Sequence, residues 1–171
     1  MKFFHGALCF LVCFLLSSGC GYHLVGYGSA LPSHIRTIAV PVFKNTSTEP
    51  NIHRDATDAI RQIFIMDGRL KLVGTSKADL VLRGTLTNYL LEPKSFSGKD
   101  LAEEYIVRLG VQVEVYDRVK KKIFLDQKFT TQWDYRATSG VIDTESARFV
   151  ALKEAYNDLA GQLVSIIIEQ F

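Results

Sequence analysis

The run YIVRLGVQVEVYD, Tyr105 to Asp117, alternates apolar and polar residues almost without a break. Successive side chains of a strand leave opposite faces. Tyr105, Val107, Leu109, Val111, Val113 and Val115 therefore point one way, and Arg108, Gln112, Glu114 and Tyr116 the other. At ~3.3 Å per residue such a strand reaches roughly 40 Å, long for a small domain. Both flanking segments repeat the pattern. In ADLVLRGTLTNYLL (78–91), Leu80, Leu82, Leu86 and Leu90 share one face and Arg83, Thr85, Thr87 and Tyr89 the other. In IFLDQKFTTQWDY (123–135), Ile123, Leu125, Phe129, Trp133 and Tyr135 share a face, and DRVKKK reverses the chain before it. Three such runs specify an antiparallel meander with one face on a core and one in water.

The remaining elements supply the cover. IRTIAVPVF (35–43) is a nearly continuous apolar run and reads as a well-covered strand; Pro41 lacks an N–H, so that point belongs at an edge or a strand end. After the loop KNTSTEP, Pro50 suits a first helical turn, with Thr48 or Asn51 as caps. Ile52, Ala56, Ile60, Ile63 and Phe64 form one helical stripe, ending at Asp67-Gly68. RLKLV (69–73) is a short candidate strand. Beyond the loop RATSGVID, Asp143 or Thr144 would cap a long helix with Ala147, Ala151, Ala155, Leu159, Leu163 and Ile166 on one stripe. The order β-α-(β)-β-β-β-α predicts an α+β two-layer sandwich: a mixed sheet of about four long strands with two helices packed on one face.

The N-terminus has a different grammar. Lys2 is followed by an almost wholly apolar stretch from Phe3 to Leu16 and then by Ser17, Ser18, Gly19 and Cys20. This is the layout of a secretory signal, too short to span a bilayer, which takes ~20 apolar residues. Of three cysteines, Cys9 and Cys13 lie inside that leader, so its removal leaves Cys20 alone. SSGC is similar to the lipobox of bacterial lipoproteins, with Ser17 where Leu is usual. Acylation of Cys20 would bury many methylenes at ~0.8 kcal/mol each and anchor the chain without a membrane helix. Gly21, standing where Asp would signal inner-membrane retention, points by the same resemblance to the outer membrane. The expected organisation is a signal peptide at 1–19, a Gly- and Ser-rich lipidated tether at 20–34, and a single α/β domain at 35–171.

Loss of the leader removes only Lys2 and leaves 19 basic against 18 acidic residues. That balance lacks the basic stripe expected of a nucleic-acid binder. Catalytic motifs fail in turn. SFSGKD (95–100) has Pro93 where a phosphate-binding loop needs Gly, and Asp100 where it needs Ser or Thr. No Gly-x-Ser-x-Gly is present. His23, His34 and His53 are dispersed without Cys or carboxylates at ligand spacing, so no metal, cofactor or catalytic residue is expected. Two features remain. The polar sheet face carries Arg83, Tyr89, Arg108, Tyr116 and Lys128, residue types that suit a wet contact surface. Lysines sit at both hairpin ends: Lys94 and Lys99 at one, Lys120, Lys121 and Lys122 at the other. Such clusters can hold phosphates as point charges, or simply protect sheet edges.

CGYHLVG, LPSHIRTIAVPVFKNTSTEPNI and LVLRGTLTNY resemble the lipopolysaccharide-assembly lipoproteins, the small subunit of the outer-membrane lipopolysaccharide translocon, and the similarity covers essentially the whole chain after the leader. The resemblance implies a non-enzymatic protein, lipid-anchored at Cys20 on the periplasmic side of the outer membrane. It further implies that the protein plugs a large β-barrel partner, helps it assemble, and binds lipopolysaccharide in transit. SFSGKDLAEEY resembles the family's ligand-contact region, where Lys99 would meet a phosphate with Lys94 assisting; Lys120, Lys121 and Lys122 are a secondary basic patch. The alternative is a periplasmic assembly lipoprotein whose polar face binds a secretion component or peptidoglycan.

Overall fold

The structure is a computed structural model that describes residues 31–98, 101–137 and 141–169. Its elements are β1 (Thr37–Ala39), β2 (Lys44–Asn45), α1 (Ile52–Asp67), β3 (Lys71–Leu72), β4 (Leu80–Phe96), β5 (Ala102–Asp117), β6 (Lys122–Arg136) and α2 (Val141–Glu169). The expected count of about four strands is corrected to six. The sheet order is β3-β1-β4-β5-β6, with β2 also on β4. The 35–43 run is a strand only over β1, and β2 lies in the segment expected as a loop; both run parallel to β4, opposite Leu80–Val81 and Thr85–Leu86. β3 adds a two-residue parallel strand beside β1.

The long meander forms as the alternation requires. β4 pairs antiparallel with β5, and β5 with β6. Leu82, Leu86, Val107, Leu109, Val111, Val113, Val115, Leu125 and Phe129 enter one core with both helices. α2 packs against α1 and beneath β6 and β5, through Ala151, Ala155, Leu159, Leu163 and Ile167. The early alanines allow the helix to approach closely. Two buried hydroxyls tie the layers: Thr131 of β6 donates to Asp158 of α2 at 2.7 Å, and Thr57 of α1 accepts the Phe43 N–H at 3.0 Å.

Bulges overturn two face assignments. An extra residue between Leu86 and Asn88 shifts the β4 register, and a slip of one residue exchanges the two faces. Tyr89 therefore packs against the core while Leu90 is exposed. A shift beside Val115 does the same to Ile123, which sits opposite Tyr116 and is exposed. The caps match expectation in position at Asn51 and Gly68 and differ at the start of α2. Asn51 stands at the α1 N-cap in a left-handed conformation (φ 66°) without a side-chain capping bond. α2 begins at Val141, so Asp143 lies in its first turn rather than before it. Gly68 ends α1 as foreseen, at φ 73° with its N–H donating to the Phe64 carbonyl at 3.2 Å.

Candidate functional site

The two lysine groups occupy opposite ends of the sheet. At one end, Asp117 closes β5 and shapes the turn into β6. Its carboxylate accepts the Val119 N–H at 2.9 Å, the Lys120 N–H at 2.8 Å and His34 Nε2 at 3.1 Å. Burial pushes this carboxyl up, but the Lys120 N–H, the His34 ring and the Val119 N–H outweigh it and hold it below the usual range. Lys121 takes the left-handed conformation that the reversal needs (φ 52°). Lys120, Lys121 and Lys122 project into solvent from this rigid turn and make no ion pair among the described residues. His34 is docked here through its bond to Asp117.

Lys94 is far away. The strand positions between Asp117 and Tyr105, which pairs with Pro93, span roughly 40 Å. The sheet therefore separates Lys94 from the triple-lysine turn and brings no single basic site together. Lys94 is also engaged: it donates to Asp134 of β6, which raises its pKa. Lys99 and Cys20 lie outside the described residues.

The β4–β5 hairpin around Lys94 has a property that the alternation did not announce. Val107, Leu109 and Tyr89 still pack on the core, but toward the tip several apolar side chains stay in solvent. Phe96 is 60% exposed and Leu101 66%, with Leu90 and Leu91 also exposed, and Trp133 of the neighbouring β6 is exposed too. The Ser97 N–H donates to the Leu101 carbonyl at 2.7 Å and closes the tip. Cationic and apolar side chains thus share one projecting hairpin end. The available signal was Phe96 and Leu101 themselves, apolar residues outside the alternating runs beside a loop.

The open sheet face is a ladder of cross-strand polar pairs. Arg83 meets Glu114 at 2.9 Å and lies over the Tyr116 ring, Arg108 meets Glu92 at 2.7 Å and Gln132 at 3.2 Å, Arg136 meets Glu104 at 3.2 Å, and Gln112 donates to Asp126. A shallow depression of about 670 Å³, edged by Val42, Lys44, Arg83 and Asp126, lies on this face. Tyr89, expected here, instead accepts a bond from Arg148 across the core side at 3.2 Å. Arg148 also pairs with Glu49 at 3.1 Å and Glu145 at 2.9 Å beside a groove of about 680 Å³ between α1 and α2. Burial raises the pKa of Tyr156 in that groove. No cluster of His, Cys, Asp or Glu suited to a metal occurs among the described residues.

The lipopolysaccharide-assembly family model (LptE) matches residues 35–167. The chain belongs to the lipopolysaccharide-assembly family. No curated protein sequence matches it. Among solved structures, the minor lipoprotein of Acinetobacter baumannii is similar at 20% identity and TM-score 0.53, over 80% of this chain and 93% of that one. Rare lipoprotein B of Shewanella oneidensis is similar at 17% identity and TM-score 0.54, over 75% and 94%. Lipoprotein B of Nitrosomonas europaea is similar at 14% identity and TM-score 0.54, over 81% and 84%. At these identities the likeness establishes the two-layer fold. This is a family of non-catalytic assembly lipoproteins, and no helix among the described residues is long and apolar enough to cross a membrane.

Proposed function

We propose that this lipopolysaccharide-assembly lipoprotein is held in the outer membrane by acylated Cys20, plugs and helps assemble a β-barrel translocon, and hands lipopolysaccharide on through its β4–β5 hairpin. The observation that carries the hairpin assignment is its mixed tip: exposed Phe96 and Leu101 beside Lys94, with Lys99 in the same loop. An amphiphile with phosphates and acyl chains needs both kinds of contact. The paired charges of the open face suit the polar lumen of a barrel, and the bond of His34 to Asp117 supports a tether that leaves from the end opposite the hairpin. A lipid anchor at one end and a ligand tip at the other would carry cargo away from the membrane surface that holds the protein.

In this reading phosphate competes with Asp134 for Lys94. Lys94→Glu and Lys99→Glu should each weaken binding to lipopolysaccharide, and added salt should weaken it further. Asp134→Asn should strengthen it by releasing Lys94. The partner is tested by extracting outer membranes in mild detergent with a C-terminally tagged chain and identifying the stoichiometric companion. A large barrel protein is expected. Recovery of peptidoglycan or another secretion component, with no barrel, would overturn the translocon reading.

A further inference from the structure

The triple-lysine turn, at the far end of the sheet from the hairpin tip, belongs to a larger basic end face. β1, β3 and β4 all begin at the level where β5 ends and β6 begins: Thr37 pairs with Lys71, Ile38 with Leu80, Leu80 with Asp117 and Asp117 with Lys122. Arg118 fastens the 75–78 loop to the turn, donating to the Thr75 carbonyl at 2.7 Å and the Ala78 carbonyl at 3.1 Å. Lys71, Lys77, Lys120, Lys121 and Lys122 are all exposed here and make no ion pair among the described residues.

The carboxylates at this end are already committed. Asp117 and Asp79 accept backbone N–H groups, and Asp67 and Glu169 both act on Arg69. Charges nearly cancel over the chain after the leader, so this end holds a local excess of cations. Two apolar side chains flank the three lysines: Val119 is 54% exposed and Ile123 52%. A turn that only kept the chain soluble would have no use for them. A membrane surface uses both kinds of group, ammonium ions for headgroup phosphates and short aliphatic groups for the boundary with the acyl chains.

We propose that this end docks on anionic phospholipid headgroups of the leaflet that holds the anchor. The inference rests on the acylation of Cys20 proposed above. Cys20 stands fourteen residues before His34, which is bonded to Asp117 in the turn. At ~3.5 Å per residue the turn therefore stays within roughly 50 Å of the lipid. Tethering makes docking an intramolecular step, so contacts too weak for a free protein suffice. The contact uses the end of the sheet and leaves the open face and the hairpin available to the barrel and its cargo.

Fluorescence quenching on the acylated full chain tests this. Cys9 and Cys13 leave with the leader and Cys20 is acylated, so a new cysteine is the only thiol to label. Val119→Cys and Ile123→Cys probe the turn. Phe149→Cys is the remote control, since its neighbour Arg148 bonds Tyr89 midway along the sheet. In vesicles of phosphatidylethanolamine and phosphatidylglycerol with headgroup-spin-labelled lipid, labels at 119 and 123 should be quenched and the label at 149 should not. Vesicles of phosphatidylcholine alone should remove the difference. So should Lys120→Gln, Lys121→Gln and Lys122→Gln together: each lysine near an anionic surface shifts the docked-to-free ratio about fivefold, and three shift it on the order of a hundredfold. Equal quenching at all three positions, or quenching that survives both changes, would overturn the proposal. A chain that floats with the vesicles yet shows no quenching at 119 or 123 would overturn docking and leave anchoring standing; a chain that does not float would overturn both. Shielding of the turn only in the presence of a protein partner would assign this end to an acidic protein surface instead.

Discussion

The two halves of β4 lie in one continuous strand and live under different physics. From Leu80 to Leu86 the strand has neighbours on both edges and helices beneath it, and Leu80, Leu82 and Leu86 are fully buried. From Asn88 to Phe96 it has only β5 beside it among the described residues, and its apolar residues Leu90, Leu91 and Phe96 are exposed. Composition hardly distinguishes the halves, since both are rich in leucine. Burial follows neighbours rather than residue type. The first half is a stability element; the second is a surface held out to something else.

The largest effect that would sharpen this contrast is expected at Gly84. A Cβ there would lie 2.1 Å from a ring carbon of Phe43, itself buried in the core. Gly84→Ala should cost about 3 kcal/mol, the upper range for overpacking, read as a lowered midpoint in thermal or denaturant unfolding. Next comes a matched pair in the two halves. Leu86→Ala should lose about 3 kcal/mol through transfer and cavity terms, whereas Leu91→Ala, 38% exposed, should stay within about 0.5 kcal/mol. Equal losses at the two positions would break the comparison.

The smallest effect expected is in acid. Asp117 and Asp79 are both held below the usual carboxylate range. Burial raises each, but Asp117 accepts from Lys120, His34 and Val119, and Asp79 from the Thr37 hydroxyl and the Arg36 and Thr37 N–H groups. A depressed folded-state pKa stabilises above the unfolded value, about 3.9 for Asp, and that contribution fades as pH falls through the folded-state value. Unfolding followed from pH 6 downward should show stability declining below about pH 4, less steeply in Asp117→Asn. Hydrogen exchange should show β4 opening first beyond Leu86.

Much of this architecture was legible in advance because strand alternation is a local property. The six core-facing positions from Tyr105 to Val115 were assigned correctly, since β5 itself carries no extra residue over that stretch and the register shifts fall on its partners. Assignment failed where a partner carried an extra residue. At Leu86–Asn88 the bulge turned Tyr89 inward and Leu90 outward, and beside Val115 a bulge turned Ile123 outward. Nothing in TLTNYLL marks which residue will be unpaired. The site was less legible. Lysine positions were visible, but whether Lys94 is free or bonded to Asp134 depends on a strand forty positions away.

By itself the sequence determined the α+β class, the long meander and the stripes of both helices, because periodicity acts over neighbouring residues. Only the tertiary structure decided that two short strands, β1 and β2, lie along β4, that the lysine groups stand about 40 Å apart, and that β4 runs on past its pairing with β2 at Leu86. Those outcomes depend on which backbone groups find partners across the sheet, and pairing between distant segments is a property of the whole chain.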